Sequence, residues 1–323
     1  MTPAPPALPG HTWRPLRPGD GPALAALARA AQNPADNIPP VDYAGRLARA
    51  ADELADSTCC ASTPDGVISA YAWLALDQSM RHERRAFFEG AVDPALYGRG
   101  LGDFLIDWQE ARARRMLGSA ADPRPAVMRI DVYHQNPSAV EIYRRHGFAL
   151  ALVEDELRRD LDLPIPALPL PTGVALLPWS DARASLFYAA YLDAFRERPG
   201  FPGWDEPTWR ANLTDHTDFW PAYSLLLLDG AEPAGFAICA ADEQEAGAGH
   251  IVQMGLRPAW RGRGLADMLL AELLQRFRAA GLRQARLEVN TNNPRAARLY
   301  ARLGFVLARR FSSYRKALDP ASG

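Results

Sequence analysis

The chain has 323 residues, enough for about two domains of usual size, and its 48% hydrophobic and 23% charged content excludes a mainly disordered protein. With 36 basic against 38 acidic residues, the net charge of −2 gives no general attraction to nucleic acid or to an anionic membrane. Lys316 is the sole lysine, so a Walker-type phosphate loop is excluded and a Schiff-base lysine could only be that residue.

Taken in chain order, the first ten residues carry four prolines and no basic-then-apolar pattern, which reads as a disordered leader and not a signal peptide. An extended start at 12–17 leads into helical stretches. A strand at 58–63 ends at the turn Pro64-Asp65-Gly66 and holds Cys59 and Cys60, whose side chains would point to opposite faces. With Cys239 as the third cysteine, neither a zinc spacing nor a disulfide framework is present, and no metal is expected. Strands follow at 67–76 and 84–92. A glycine-rich loop then opens a helix at 103–117, and a strand covers 126–132. A short helix starts at Asn136-Pro137, a cap followed by proline, and stops at Gly147, suited to a left-handed C-cap. A final hairpin is expected to close this half.

Pro164, Pro166, Pro169 and Pro171 then punctuate residues 162–172, favouring extended polyproline geometry and marking a linker. The succession begins again with an extended start at 174–178 and a helix at 184–198. Strands at 223–228, 234–241 and 250–256 precede a helix at 267–280 and a strand at 284–289. A short helix runs from Asn293-Pro294 to Gly304, and a closing hairpin ends the chain. No segment approaches the ~18 apolar residues of a membrane span. No membrane partner is expected, and a cytoplasmic location follows by default.

The likeness of the halves extends to residue identity. Residues 93–106 and 257–270 agree at eight of 14 positions at an offset of 164, and residues 131–150 and 288–307 agree at nine of 20 at an offset of 157. Two matched blocks in one order at nearly one offset indicate a tandem duplication. The domains expected are 1–161 and 173–323, joined by 162–172.

The repeated loop carries the chemistry. Arg261-Gly262-Arg263-Gly264-Leu265-Ala266 lies between a strand and a helix. Glycines let the backbone turn tightly and approach a ligand, and the first turn of a helix offers unpaired N–H groups at the positive end of its dipole. The product is an anion cradle suited to a pyrophosphate. A dinucleotide fingerprint would need a third glycine where Asp267, and Asp103 in the first copy, stand.

On these residues the chain resembles the GNAT superfamily of N-acetyltransferases. Arg261, Gly264 and Ala266 satisfy its Gln/Arg-x-x-Gly-x-Gly/Ala signature, while the first copy has Gly100 and Gly102 but Tyr97 at the first position. Asn293, Tyr300 and Gly304-Phe305, like Asn136, Tyr143 and Gly147-Phe148, match the family's last helix. The tandem layout is similar to that of mycothiol synthases and other two-domain members.

The resemblance implies an α/β fold of two tandem GNAT-like domains, each a mixed, mostly antiparallel central sheet flanked by helices. It implies acetyl-CoA as co-substrate and direct attack on the thioester by an amine of a small molecule or peptide. The cofactor arm would pair with the backbone of Met254, Gly255 and Leu256 and with Asn293. The pyrophosphate would rest on Gly262, Arg263, Gly264, Leu265 and Ala266, with Arg261 at the head of the loop. Tyr300 would protonate the leaving thiolate. His250, eleven residues before Arg261 where some members carry a catalytic Glu, and Glu288 are rivals for the base. Gly98, Arg99, Gly100, Leu101, Gly102, Asn136 and Tyr143 outline a second site, and Glu89 is an acidic residue within the fourth strand of that copy.

Arg257, Arg261 and Arg263 sum to +3 at the second loop, while Asp93 and Arg99 cancel at the first, which favours the second copy for a polyanionic donor and for catalysis. Ten aromatics between residues 187 and 223, interleaved with Asp193, Glu197, Asp205, Glu206, Asp215 and Asp218, suit either core packing or an apolar acceptor cleft. Trp204 and Trp209 are its test positions. Two other classes stay open: a non-catalytic acyl-CoA-binding or scaffold protein, and an acyl or aminoacyl transferase using another donor.

Overall fold

Strands that alternate inward and outward residues, and helices with one apolar face, build three layers twice over in the computed structural model. It describes residues 3–32, 41–77, 83–118, 122–133, 136–198, 201, 203–214, 219–241 and 247–318. The chain divides into two compact units, residues 1–153 with 311–323, and residues 154–310.

In the first unit β1 (Thr12–Arg14), β2 (Thr58–Ser62), β3 (Ile68–Asp77), β4 (Arg84–Val92) and β5 (Ala126–Val132) pair in that order. All pairs are antiparallel except β4 with β5. Helices α1 (Gly21–Ala31), α2 (Tyr43–Arg49) and α3 (Leu54–Ser57) cover one face through Leu24, Leu47 and Leu54. The opposite face lies under α4 (Leu101–Leu117) and α5 (Pro137–Arg145), around Phe88, Met128 and Ile130. A long strand, β6 (Ala149–Asp160), leads out of this half.

The second unit repeats the plan with β7 (Val174–Pro178), α6 (Ala184–Phe195), α7 (Glu206–Thr214), β8 (Leu225–Asp229), β9 (Glu232–Ala241), β10 (Ala248–Leu256), α8 (Leu265–Ala279), β11 (Gln284–Asn290), α9 (Pro294–Arg302) and β12 (Val306–Leu318). Its sheet runs β7-β8-β9-β10-β11, with β10 and β11 the parallel pair. Helices α8 and α9 pack on one face around Leu269, Leu273 and Phe277; α6 and α7 pack on the other around Phe187 and Trp209.

The closing hairpins expected in each half do not form. Residues 154–160 of β6 pair with β11 in the second unit, and residues 312–318 of β12 pair with β5 in the first. Each copy thus gives its last strand to the other unit. Neither β6 nor β12 contains a Gly or Pro, and each continues through the crossing point as one long strand. The crossing points, after Val153 and after Arg310, are 157 residues apart, the offset of the second repeated block. The unit boundaries therefore fall inside strands and not at 161 and 173.

Two further expectations change. The proline-rich start is packed: Leu8 is buried among Cys59, Ala61 and Phe104, and the Trp13 indole donates to the Pro6 carbonyl at 2.9 Å. The segment at 162–172 docks on the second unit, because the buried Arg159 guanidinium donates to the Pro164 carbonyl at 2.8 Å and Gln275 to that of Pro166 at 3.3 Å. Arg159 also donates to the Leu303 carbonyl at 2.6 Å, satisfying the C-terminal end of α9. Its counterpart 157 residues on is the sole lysine, Lys316, which packs against Gly147 just past α5 and pairs with Glu110. The exchanged strands thus bring a cation to the last helix of each unit.

Candidate active site

The pairing of β10 and β11 stops at Ile251 with Leu287, whereas β10 stays paired with β9 as far as Leu256. One backbone edge of residues 252–256, which includes Met254, Gly255 and Leu256, is thereby left without a strand partner among the described residues. The parting is assisted by a bulge in β10 between Ile251 and Gln253, since an inserted residue bends a strand and re-aims the residues beyond it. Gly255 is required by close packing: a β-carbon there would lie 2.9 Å from Cβ of Ala194 on α6.

The loop follows at once. Gly262 and Gly264 have φ of +80° and +76°, in the left-handed region that L-residues avoid. No side chain caps α8, and its first intrahelical bond is from Met268 N to Gly264 O, so the amides of Leu265, Ala266 and Asp267 begin the helix without internal partners. The Asp267 side chain, which stands where a dinucleotide motif needs glycine, receives Arg302 at 2.7 Å and ties α8 to α9.

The loop arginines are differently employed than their charges alone suggest. Arg261 donates to the carbonyls of Leu256 at 3.1 Å and Ala194 at 3.2 Å, bracing the end of β10 against α6. Arg257 pairs with Asp193 at 2.9 Å, and Arg263 lies 3.6 Å from Asp229. Much of the +3 is therefore balanced locally. Sequence reasoning missed Arg295: its Nη2 lies 3.8 Å from where a β-carbon of Gly262 would be. The signal was an arginine in the second copy at the position where the first copy, 157 residues earlier, has Ser138.

Asn293 caps α9 by accepting from Ala296 N at 3.1 Å, which leaves its amide N–H₂ for a ligand. Tyr300, on the same helix, is buried and packs on Phe305 at 5.8 Å between ring centres. Burial pushes its phenol up to about 12, opposed by the charge of Arg198. Its hydroxyl has no hydrogen-bond partner among the described residues.

His250 and Glu288 are brought together. His250 Nε2 and a Glu288 carboxylate oxygen are 2.8 Å apart, and Arg286 lies 3.1 Å from His250 Nδ1 and 3.0 Å from Glu288. A guanidinium only donates, so Nδ1 must accept and the ring proton sits on Nε2, directed at Glu288. Both imidazole nitrogens are thus engaged, and Glu288 is the first residue of β11 beyond the paired segment. Burial would raise the Glu288 carboxyl. The hydrogen bond and electrostatic pull of the His250 Nε2–H, with the charges of Arg286 and Arg309, outweigh it and hold the group below its ordinary value. A depressed carboxyl stabilises the fold above its unfolded pKa and loses that contribution as pH falls through the folded value. Glu288→Gln is therefore expected to lower the melting temperature most at neutral pH, with the gap closing below about pH 4. An equal gap at pH 3 and pH 7 in thermal melts would show that the carboxylate is not what the pair stabilises.

The first unit keeps much of this outline. Gly98 and Gly100 have φ of +77° and +74°, Leu101 begins α4, and the β4–β5 pairing ends at Phe88 with Ile130. Asn136 caps α5 at 2.9 Å, and burial raises Tyr143 to about 12. Arg99 lies on the loop between these glycines. Gly102 serves packing, since a β-carbon would meet Ile142 at 2.7 Å. The difference lies in β4, whose register with β3 is unbroken. His250 faces Arg286 across the parallel pair, and the residue facing the equivalent Arg129 is Phe87. Val252 is thus an additional residue in β10, and the first unit has a phenyl ring in place of the imidazole. Glu89 is engaged by Arg46 at 2.7 Å and by the Tyr71 hydroxyl at 2.9 Å.

The aromatic stretch is largely core. Trp209 is 0% exposed and stacks on Tyr191 at 5.1 Å, which rules it out as a cleft wall. Trp204 is partly buried beside them. Asp193 holds Arg257, Asp205 caps α7 at 3.0 Å and Glu206 accepts from Ser185 at 2.6 Å. Asp215 and Asp218 lie outside the described residues. Cys59, Cys60 and Cys239 are buried thiols, and among the described residues no group of His, Cys, Asp or Glu is placed to hold a metal and no helix is long and apolar enough to cross a membrane.

Residues 185–305 match the model of the Acetyltransferase (GNAT) family. A mycothiol acetyltransferase of Salinispora tropica is 32% identical over 290 residues, covering 88% of this chain and 89% of that protein. One of Thermobispora bispora is 28% identical, covering 90% and 93%. Among solved structures, a GCN5-related N-acetyltransferase from Sphaerobacter thermophilus superposes with a TM-score of 0.76 at 27% identity over 96% of each chain. A tandem GNAT protein from the clavulanic acid biosynthesis pathway, at 16% identity and a TM-score of 0.66, shares the fold.

Proposed function

Because this chain belongs to the GNAT family of acetyltransferases, we propose that its second unit moves an acetyl group from acetyl-CoA to a primary amine of a small molecule. One observation carries the reading: β10 and β11 part directly before a left-handed glycine loop that starts an uncapped helix. An open strand edge suits the amide-bearing arm of the donor, and the helix start suits its diphosphate. Asn293 holds the arm between them. Acetyl-CoA supplies the activated thioester.

The amine attacks the thioester carbon, the carbon–sulfur bond breaks, and Tyr300 gives its phenolic proton to the departing sulfur. The amine must lose a proton, and Glu288 takes it; His250 and Arg286 fix the carboxylate at the mouth of the opening. His250 is therefore a positioning residue and not itself the base. The relatives' name points to a small amine over a peptide. The first unit, with Phe87 and an unbroken β4, is a structural half or a weaker donor site.

The test is thiol release from acetyl-CoA with a panel of small primary amines and of peptides with free amino termini. Amine-dependent release with small amines is expected, the product carrying one acetyl group by mass. Release no faster than hydrolysis with every amine would overturn the reading in favour of a binding protein.

A further inference from the structure

We infer that Arg295 is a ligand for the diphosphate of the donor, and that it separates the second unit's loop from the first's; the inference rests on the coenzyme A reading above. Its guanidinium stands over Gly262 in the loop, within 3.8 Å of the space a β-carbon would fill. Arg257 is paired with Asp193, Arg261 is spent on two carbonyls and Arg263 faces Asp229. Arg295 alone of these four has no hydrogen bond or ion pair among the described residues.

The position argues independently for a ligand. Asn293 is the cap of α9 and Pro294 its first residue, so Arg295 lies in the first turn, where the helix dipole disfavours a cation. For stability alone a neutral or acidic residue would be preferred there, and the first unit has Ser138 at the equivalent place. A guanidinium held at the wrong end of its helix, beside a glycine loop with free amides, is placed for a doubly charged phosphate ester.

Calorimetry with coenzyme A on the full chain, wild type against Arg295→Ser and Arg295→Lys, tests this. Arg295→Ser is expected to weaken binding about tenfold to a hundredfold, with a shallower salt dependence, and Arg295→Lys to recover part of it. The melting temperature of Arg295→Ser should equal or exceed that of wild type. KM for acetyl-CoA should rise while kcat holds. The deficit should persist with 3′-dephospho-coenzyme A, which keeps the diphosphate; its disappearance there would overturn the assignment. Equal affinity of wild type and Arg295→Ser would also overturn it. Failure of wild type to bind coenzyme A at all would instead remove the functional reading beneath it.

Discussion

Tyr300→Phe is expected to lower turnover by about 10²–10⁴-fold while leaving the affinity for coenzyme A near that of wild type. The phenol is buried, raised to about 12, and without a hydrogen-bond partner among the described residues. It therefore stays protonated at neutral pH and is available to a sulfur leaving as thiolate. The charge of Arg198 lowers the cost of the phenolate that remains. Loss of this hydroxyl strands no native partner, so the melting temperature should hardly move. Tyr143→Phe is the internal control: it makes the same change in the first unit and should leave turnover near wild type. Undiminished turnover in Tyr300→Phe would remove the acid role, and a large loss in Tyr143→Phe alone would move catalysis to the first unit.

Local constraint on each residue decides which parts of this arrangement are legible in the sequence. Gly262 and Gly264 must have positive φ, and Asn293-Pro294 must begin a helix. Such requirements leave a mark in residue type, so the loop, the last helix and the duplication could be read directly. Val252 left no mark. Counting back from the loop at constant offset aligns His250 with Ala86, but the bulge shifts the earlier part of the strand by one, and its true counterpart is Phe87. The pairing of His250 with Glu288 was hidden likewise, because the residues lie 38 positions apart and meet only through the parallel register. In the aromatic stretch, composition served packing and binding equally well until burial showed Trp209 to be core. The strand exchange was invisible for a broader reason: a period of two identifies a strand but not its neighbour.

That exchange gives the most severe expected effect. A chain ending at Arg310 should unfold the first unit, although the cut is at the far end of the sequence and removes part of the second copy. Residues 312–318 are the partner of β5, and their loss exposes that strand's backbone edge along its length. Tyr314 and Leu318 would leave a core they share with Phe88, Met128 and Ile130. Two buried side chains of this size contribute about 3–6 kcal/mol, and each backbone group left buried and unpaired costs about 1–3 kcal/mol more. Against a domain stability of about 5–15 kcal/mol, that loss is decisive. Hydrogen exchange should show 84–92 and 126–132 losing protection, while 225–229, 232–241 and 284–290 keep it, because the second unit is closed by residues 154–160 and not by its own last strand. Protection lost in the second unit and kept in the first would mean that each copy closes on itself.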